Sequence, residues 1–301
     1  MSFMKNANNP KKHIAPNECS GWRWLGALLL GAVIANVITL VGGLIFGGRI
    51  DNILGIEISR VSLMLDFVAM YVGLVIAIKL VCKTSLKDFI LGVGGRINKK
   101  ECLVVLVLSL ISFFMGLLMD AGSLRMQDIS VGTFAATVLI TLALIWMQTT
   151  YEELVFRGMV LRWVSKHDIG FNKKSILAAV ISSALFALVH AGNPEVTSLS
   201  GMERVVMVCV YAIPGMSFFL MDLYFGNMMP GIIMHWVNNF MLAILVSSDV
   251  TAYSMPTLMV NTGVPNAYIT LLGVLLTKIP FVAYILWDIR GKKKAALQEA
   301  Q

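Results

Sequence analysis

Long runs of apolar residues are the feature that most restricts what this chain can fold into. A helix needs about 20 predominantly apolar residues to cross roughly 30 Å of hydrocarbon. Eight apolar windows of roughly this length can be drawn: 24–48, 61–82, 102–119, 129–164, 175–190, 205–225, 231–247 and 266–287. With 57% hydrophobic and 14% charged residues, the composition excludes a soluble protein. We therefore predict an all-α fold, a polytopic membrane bundle of about eight transmembrane helices.

Positively charged residues are distributed unevenly among the segments that connect these windows. Cytoplasmic segments are enriched in Lys and Arg. If the N-terminus is inside, the inner segments carry Lys5, Lys11, Lys12, Arg23, Lys83, Lys87, Arg96, Lys99, Lys100, Arg157, Arg162, Lys166, Lys173, Lys174, Arg290, Lys292, Lys293 and Lys294. The outer segments hold Arg49, Arg60, Arg125 and Arg204. We therefore predict an integral, multi-pass membrane protein with both termini in the cytoplasm.

The chain is predicted to form a single transmembrane domain over residues 24–287. A cytoplasmic segment, 1–23, precedes this domain, and a basic cytoplasmic tail, 288–301, follows it. The formal net charge of +7 does not indicate nucleic-acid binding, because the Lys and Arg residues lie at the ends of apolar windows, where orientation explains them. The expected surroundings are therefore the lipid bilayer, and nucleic acid is excluded as a partner.

Three charges interrupt the apolar run of the fourth window well before its end. Residues 129–151 contain no Asp, Glu, Lys or Arg, and Glu152, Glu153 and Arg157 follow before the apolar pattern resumes. Each charge costs about 2.5 to 3.5 kcal/mol to insert at the centre of a bilayer, so such residues are functional candidates. If the helix continues to Val164, Glu152 lies roughly 18 Å from its cytoplasmic end, inside the bilayer. The alternative is a helix that ends near Tyr151, with the charges solvated.

Two further windows carry polar residues in apolar surroundings. In the fifth window, Phe-x-x-x-His ends at His190, which could also be a packing or helix-end residue. In the seventh, His-x-x-x-Asn places His235 and Asn239 one turn apart on the same helix face. Two polar groups that point in one direction inside lipid require a common partner.

Peptide hydrolysis is a reaction that could use these groups. A buried glutamate can take a proton from water, and an imidazole N–H beside the amide of Asn239 can stabilise an oxyanion. Alternatively, Glu152, His190 and His235 form a two-histidine, one-carboxylate set of the kind that binds catalytic zinc. Both alternatives remain open. Glu152 and Glu153 lie about 100° apart around a helix, so they cannot both point at one water molecule. Glu153 and Arg157 have the i, i+4 spacing of an ion pair.

The ordered series Glu-Glu-x-x-x-Arg, Phe-x-x-x-His and His-x-x-x-Asn, each on its own apolar window, resembles the intramembrane family of CAAX proteases and bacteriocin-processing enzymes. The resemblance covers residues 149–239. It implies a metallo- or glutamate-type endopeptidase that cleaves a peptide or a lipidated protein. It further implies that Glu152 is the catalytic base, that Glu153 and Arg157 support it, and that His190, His235 and Asn239 complete the site. Whether a zinc ion takes part is not decided by the resemblance.

Two alternatives of other classes compete with a protease. Intramembrane charges also mark the ion paths of channels and transporters. In that case Asp66, Lys79, Asp222 and Lys278 would matter as much as Glu152. A non-catalytic immunity or scaffold protein could use the same polar cluster.

Overall fold

The computed structural model describes residues 21–46, 49–92, 95–165, 171–248 and 255–299. Within these ranges, seven helices are long and apolar enough to cross a membrane, and the apolar helix Met229–Leu245 is shorter. The predicted all-α polytopic bundle is therefore confirmed. Most of the predicted N-terminal segment, residues 1–20, lies outside the described residues, as does the predicted end of the first span at Gly48.

Twelve α-helices are found in the described ranges. They are α1 (Gly21–Phe46), α2 (Ile58–Val81), α3 (Leu86–Leu91), α4 (Lys99–Met119), α5 (Val131–Glu153), α6 (Val160–Ser165), α7 (Lys173–Val189), α8 (Pro194–Thr197), α9 (Gly201–Phe225), α10 (Met229–Leu245), α11 (Ala267–Leu276) and α12 (Ile279–Glu299). A π-helical segment, Leu154–Met159, joins α5 to α6, and 3-10 turns lie at Ala121–Ser123 and His190–Gly192.

Side-chain caps set the start of five of the described helices, namely α3, α4, α5, α7 and α11. The side chain of Asn98 accepts hydrogen bonds from backbone N–H groups in the first turn of α4. Ser130 does the same for α5, and Asn172 does so for α7. A cap satisfies N–H groups that have no partner within the helix. The two helices α5 and α7, which carry the predicted site, therefore each begin at a residue that the sequence specifies.

The helix α5 lies inside the bundle, packed against α2 and α10. The helix α10 also contacts α4 and α9, and α9 packs against α7 and α11. By contrast, α1 exposes large apolar side chains, among them Leu29, Leu40 and Leu44. Such a surface is compatible with lipid rather than water. The helices with the predicted functional motifs therefore meet in the interior of the bundle.

Short strands connect the helices at the end of the bundle where α5 begins. The strands β1 (Asn52–Ile53) and β2 (Ile56–Glu57) form an antiparallel hairpin. In the second sheet, β5 (Met259–Asn261) pairs antiparallel with β3 (Leu124–Met126) and parallel with β4 (Val246–Ser247). These strands were not predicted from the sequence, because two or three residues are too few to produce an alternating pattern.

Two predicted spans differ from the structure in detail. The seventh ends as a helix at Leu245 and continues as β4. The eighth is broken into α11 and α12 around Thr277, whose carbonyl accepts a hydrogen bond from Ser112 on α4. A side chain from a neighbouring helix can satisfy the backbone groups that such a break leaves free.

The orientation of the chain in the membrane stays a prediction and can be measured by cysteine labelling. In a background without reactive native cysteines, Asn8→Cys and Gln298→Cys should react with a membrane-impermeant maleimide only after the inner face is opened. Asp51→Cys, an exposed position in a predicted outer segment, serves as the control and should react in intact cells. Labelling of Gln298→Cys from outside would contradict the predicted orientation.

Candidate active site

The charged motif of the fourth span lies in a continuous helical rod rather than at a helix end. α5 passes into the π segment at Leu154, and the rod continues to Ser165. Glu152 is 4% exposed, Glu153 0% and Arg157 1%. The alternative of a helix that ends near Tyr151 is therefore wrong. The π segment was not predicted, and such segments frequently occur at functional sites.

Glu153 and Arg157 form the predicted ion pair. Arg157 Nε lies 3.3 Å from Glu153 Oε2. The guanidinium also packs over the rings of Phe186 and Phe218, at 4.2 and 5.4 Å from their centroids. An aromatic face stabilises a cation, and more strongly where water is absent. Arg157 thus holds its charge in the bundle interior with one carboxylate and two aromatic rings.

Both glutamates approach the same imidazole, that of His235. Glu153 Oε1 lies 2.7 Å from His235 Nδ1, and Glu152 Oε2 lies 3.7 Å from Nε2. A carboxylate only accepts hydrogen bonds at this position, so we assign the proton to Nδ1. The ring of Phe218 stacks on the imidazole, with centroids 5.1 Å apart. The two carboxylates thus lie at opposite edges of one ring.

Asn239 completes the arrangement on α10. Its Nδ2 lies 3.2 Å from His235 Nε2, and its Oδ1 accepts a hydrogen bond of 3.1 Å from the side chain of Asn238. With the proton of His235 on Nδ1, Nε2 accepts from this amide. The imidazole N–H that we predicted as an oxyanion donor is therefore directed at Glu153, and Asn239 Nδ2 donates to the other ring nitrogen.

The two oxygens of Glu152 have different surroundings. Gln148, one turn earlier on α5, donates a hydrogen bond of 3.1 Å from its Nε2 to Glu152 Oε1. Within the described residues, Oε2 is buried and has no hydrogen-bond partner. One oxygen is therefore fixed, and the other can accept a proton.

His190 lies at the end of α7, where the helix tightens into a 3-10 turn. Its Nδ1 is 2.7 Å from the carbonyl oxygen of Phe186, so this nitrogen carries the proton and Nε2 is an acceptor. The rings of Phe186 and Tyr211 pack against the imidazole, with centroid distances of 4.3 and 4.5 Å. The Phe186 ring also contacts the imidazole of His235, at a centroid distance of 5.6 Å, so it lies between the two histidines.

The alternative zinc set requires three ligands that converge on one point. Among the residues that the structure describes, no three His, Cys, Asp or Glu side chains lie close enough together to hold a metal ion. Glu152 and His235 approach each other, and His190 and His235 are both held through Nδ1, which leaves their Nε2 atoms as the possible ligands. As placed, the three side chains do not converge on one point, and the participation of zinc stays a prediction.

Four residues that shape the site were not predicted from the sequence as site residues: Gln148, Tyr211, Phe218 and Asp222. Gln148 had a signal, because it is the one polar amide in its run and lies four residues before Glu152. Asp222 Oδ1 accepts a 2.7 Å hydrogen bond from Gly231 N in the first turn of α10. A Cβ at Gly231 would lie 2.8 Å from this carboxylate. Asp222 thus anchors the helix that carries His235.

The other charged residues of the transporter alternative do not join this cluster. Asp66 and Lys79 lie on exposed surfaces of α2, and Lys278 lies at the break between α11 and α12. A conducting path needs polar groups that follow one another through the bundle. Of the four residues, Asp222 alone is placed beside the site within the described part of the chain.

A comparison with protein families places this geometry in context. Residues 133–241 match the model of the family described as Type II CAAX prenyl endopeptidase Rce1-like. The matched range contains every residue that the three motifs singled out, and the spans before and after it lie outside the match. A comparison with curated proteins gives no match. The predicted resemblance is thus confirmed over residues 133–241, which are similar to the family described as Type II CAAX prenyl endopeptidase Rce1-like.

Proposed function

We propose that the protein is an intramembrane endopeptidase that hydrolyses a peptide bond of a membrane-associated or lipidated peptide or protein. One observation carries the proposal: Glu152 is buried in an Rce1-like segment, with Oε1 held by Gln148 and Oε2 available beside His235. A buried carboxylate with one oxygen held in place and the other able to accept a proton can act as a general base.

The first step is the activation of a water molecule. Glu152 Oε2 takes one proton from the water, and Nε2 of His190 accepts a hydrogen bond from its second hydrogen. This role of His190 follows from its tautomer, because Nδ1–H is already donated to Phe186. The water oxygen then attacks the carbonyl carbon of the substrate.

The second step is the stabilisation of the oxyanion and the departure of the amine. The side-chain amide of Asn239, whose Nδ2 lies 3.2 Å from His235 Nε2, donates a hydrogen bond to the oxyanion. When the C–N bond breaks, Glu152 returns its proton to the leaving nitrogen, so that the base is restored for the next turnover.

Glu153, Arg157 and His235 support these groups rather than react. Glu153 fixes the tautomer and the orientation of His235, and His235 in turn orients the Asn239 amide. Arg157 balances the charge of Glu153. Hydrogen-bonded neighbours hold reactive groups in their productive geometry, and activity falls when these neighbours are lost.

The transporter and the scaffold alternatives lose support from the same geometry. The charged residues of a transporter path are dispersed, with Asp66 and Lys79 on exposed surfaces. A scaffold has no need of a buried carboxylate with one free oxygen, which costs free energy. No step of the proposed mechanism requires a metal ion.

The proposal is tested with purified protein in lipid nanodiscs and matched pairs of prenylated and unprenylated peptides. Mass spectrometry should detect a new amine terminus and a new carboxyl terminus at one peptide bond. We expect turnover to survive a chelator, because the site as placed does not bring three metal ligands together in the described part of the chain. Loss of turnover with recovery on added zinc would contradict the metal-free mechanism. Failure to cleave either peptide, despite a native melting transition, would count against this substrate class.

A further inference from the structure

A second polar cluster lies against His190 and has no part in the mechanism above. It contains Asn193, Glu195 and Tyr211. The hydroxyl of Tyr211 donates to Glu195 Oε1, and Asn193 Nδ2 donates to the same oxygen at 3.1 Å. Asn193 Nδ2 is also 3.2 Å from the Tyr211 hydroxyl oxygen. A tyrosine in an apolar helix requires a partner for its hydroxyl, and a carboxylate is a strong one.

The segment that carries Glu195 is itself firmly packed. It follows the 3-10 turn at His190 and includes the short helix α8. Val196, the residue after Glu195, is fully buried among side chains of α9 and α11 that include Met207, Val210 and Ala267. The Asn193 backbone carbonyl accepts hydrogen bonds from the N–H groups of Val196 and Thr197. The carboxylate of Glu195 is therefore presented to Tyr211 from a fixed backbone.

The ring of Tyr211 connects this cluster to the site. Its centroid lies 4.5 Å from that of His190, and the two planes are inclined by 23°, which is a stacked arrangement. One ring nitrogen of His190 is held by the Phe186 carbonyl, and the Phe186 ring packs on the imidazole in a tilted arrangement. Tyr211 adds the stacked contact, and because its own hydroxyl is anchored it restricts rotation of the imidazole about that hydrogen bond.

We propose that Tyr211 and Glu195 are positioning residues for His190: Tyr211 holds the plane of the imidazole by stacking, and Glu195 holds Tyr211 through its hydroxyl. The proposal rests on the proposed function, because His190 is there an acceptor for the reacting water. Neither residue touches the reacting atoms. Their substitution should therefore affect the rate of the chemical step more than the binding of substrate.

The activity measurement uses graded substitutions in the full chain. Tyr211→Leu removes both the stacking and the anchor, and kcat should fall by about 10²-fold, the order of loss that a small misplacement of a reacting group produces. KM should change by less than about twofold, since an interaction made only in the transition state affects kcat. Tyr211→Phe keeps the stacking and should lose about tenfold. Tyr268→Phe, an exposed tyrosine on α11, should match the wild type.

A double-mutant cycle tests whether Glu195 acts through Tyr211. Glu195→Ala alone should reduce kcat about as much as Tyr211→Phe does. The double variant Glu195→Ala/Tyr211→Phe should reduce kcat no further than either single variant, because both remove the same hydrogen bond. Glu203→Ala, at the start of α9, is the matched glutamate control. Losses that multiply in the double variant, or that appear in KM instead of kcat, would overturn the proposal.

A spectroscopic measurement keeps the proposal testable if no cleaved substrate is found. Solid-state NMR of the protein labelled with ¹⁵N-histidine reports the tautomer of each of its four histidines. The signal of His190 is identified by its loss in His190→Gln. We expect a single Nδ1–H tautomer in the wild type and in Tyr268→Phe, and a mixture in Tyr211→Leu. An unchanged His190 signal in a folded Tyr211→Leu variant would reject the positioning role whatever the activity.

Discussion

The Glu152→Gln variant should fold as the wild type does and lose almost all peptidase activity. Glutamine keeps the size of the side chain and an oxygen that can accept the hydrogen bond from Gln148. It removes the oxygen that takes the proton of water. A positioned base contributes about 10²- to 10⁴-fold, so kcat should fall by at least this factor. Turnover is measured by mass spectrometry under saturating substrate.

Folding and substrate binding must be measured on the same preparation. Among the described residues, Glu152 has no ion pair with Lys or Arg, and its contact with His235 Nε2, at 3.7 Å, is too long for a hydrogen bond. We therefore expect a melting temperature within a few degrees of the wild type and unchanged binding of a substrate peptide. Glu57→Gln, at a 69% exposed side chain, is the matched control and should retain full activity. Near-normal turnover in Glu152→Gln would reject the mechanism and favour the transporter or scaffold alternative.

Much of this arrangement could be predicted from the sequence because the bilayer imposes simple rules. Apolar windows indicated where the long apolar helices lie, since backbone polar groups in hydrocarbon must be satisfied within a helix. The i, i+4 spacing predicted the pairing of Glu153 with Arg157, because residues one turn apart are neighbours. The cost of buried charge indicated where the site lies.

The remaining features depend on contacts between helices, which spacing along one helix does not contain. His235 lies between the two glutamates only because α10 packs against α5. Phe218 and Tyr211 lie on the apolar helix α9, and nothing in the sequence distinguishes them from other aromatic residues. Only the packing of α9 places Tyr211 against His190 and Phe218 against His235. The π segment has no sequence signal either, and it follows directly after the two glutamates. Sequence reasoning therefore identified the candidate reactive groups but not the neighbouring residues that contact them.

The Glu153→Gln variant should be less stable than Glu152→Gln, although both substitutions replace a buried carboxylate by an amide. The substitution leaves Arg157, 1% exposed, without the carboxylate that balances its charge, and it weakens the hydrogen bond to His235. Breaking a buried ion pair from one side typically costs about 3 to 5 kcal/mol, because the remaining charge stays in a medium of low dielectric. Thermal or denaturant unfolding in detergent should report this loss, together with reduced activity.

Two further variants test whether the loss of stability in Glu153→Gln comes from the broken ion pair or from the removal of any carboxylate. Glu57 pairs with Arg60 at 3.6 Å on the surface, where both side chains are well exposed, so Glu57→Gln should change the free energy of unfolding by less than about 1 kcal/mol. The double variant Glu153→Gln/Arg157→Met removes both charges and should recover much of the stability lost in Glu153→Gln, since a buried pair replaced as a whole is often nearly neutral. It should not recover activity, because His235 still lacks the carboxylate that fixes its tautomer. A double variant less stable than Glu153→Gln would mean that Arg157 is held by its aromatic neighbours Phe186 and Phe218, and that its charge does not depend on Glu153.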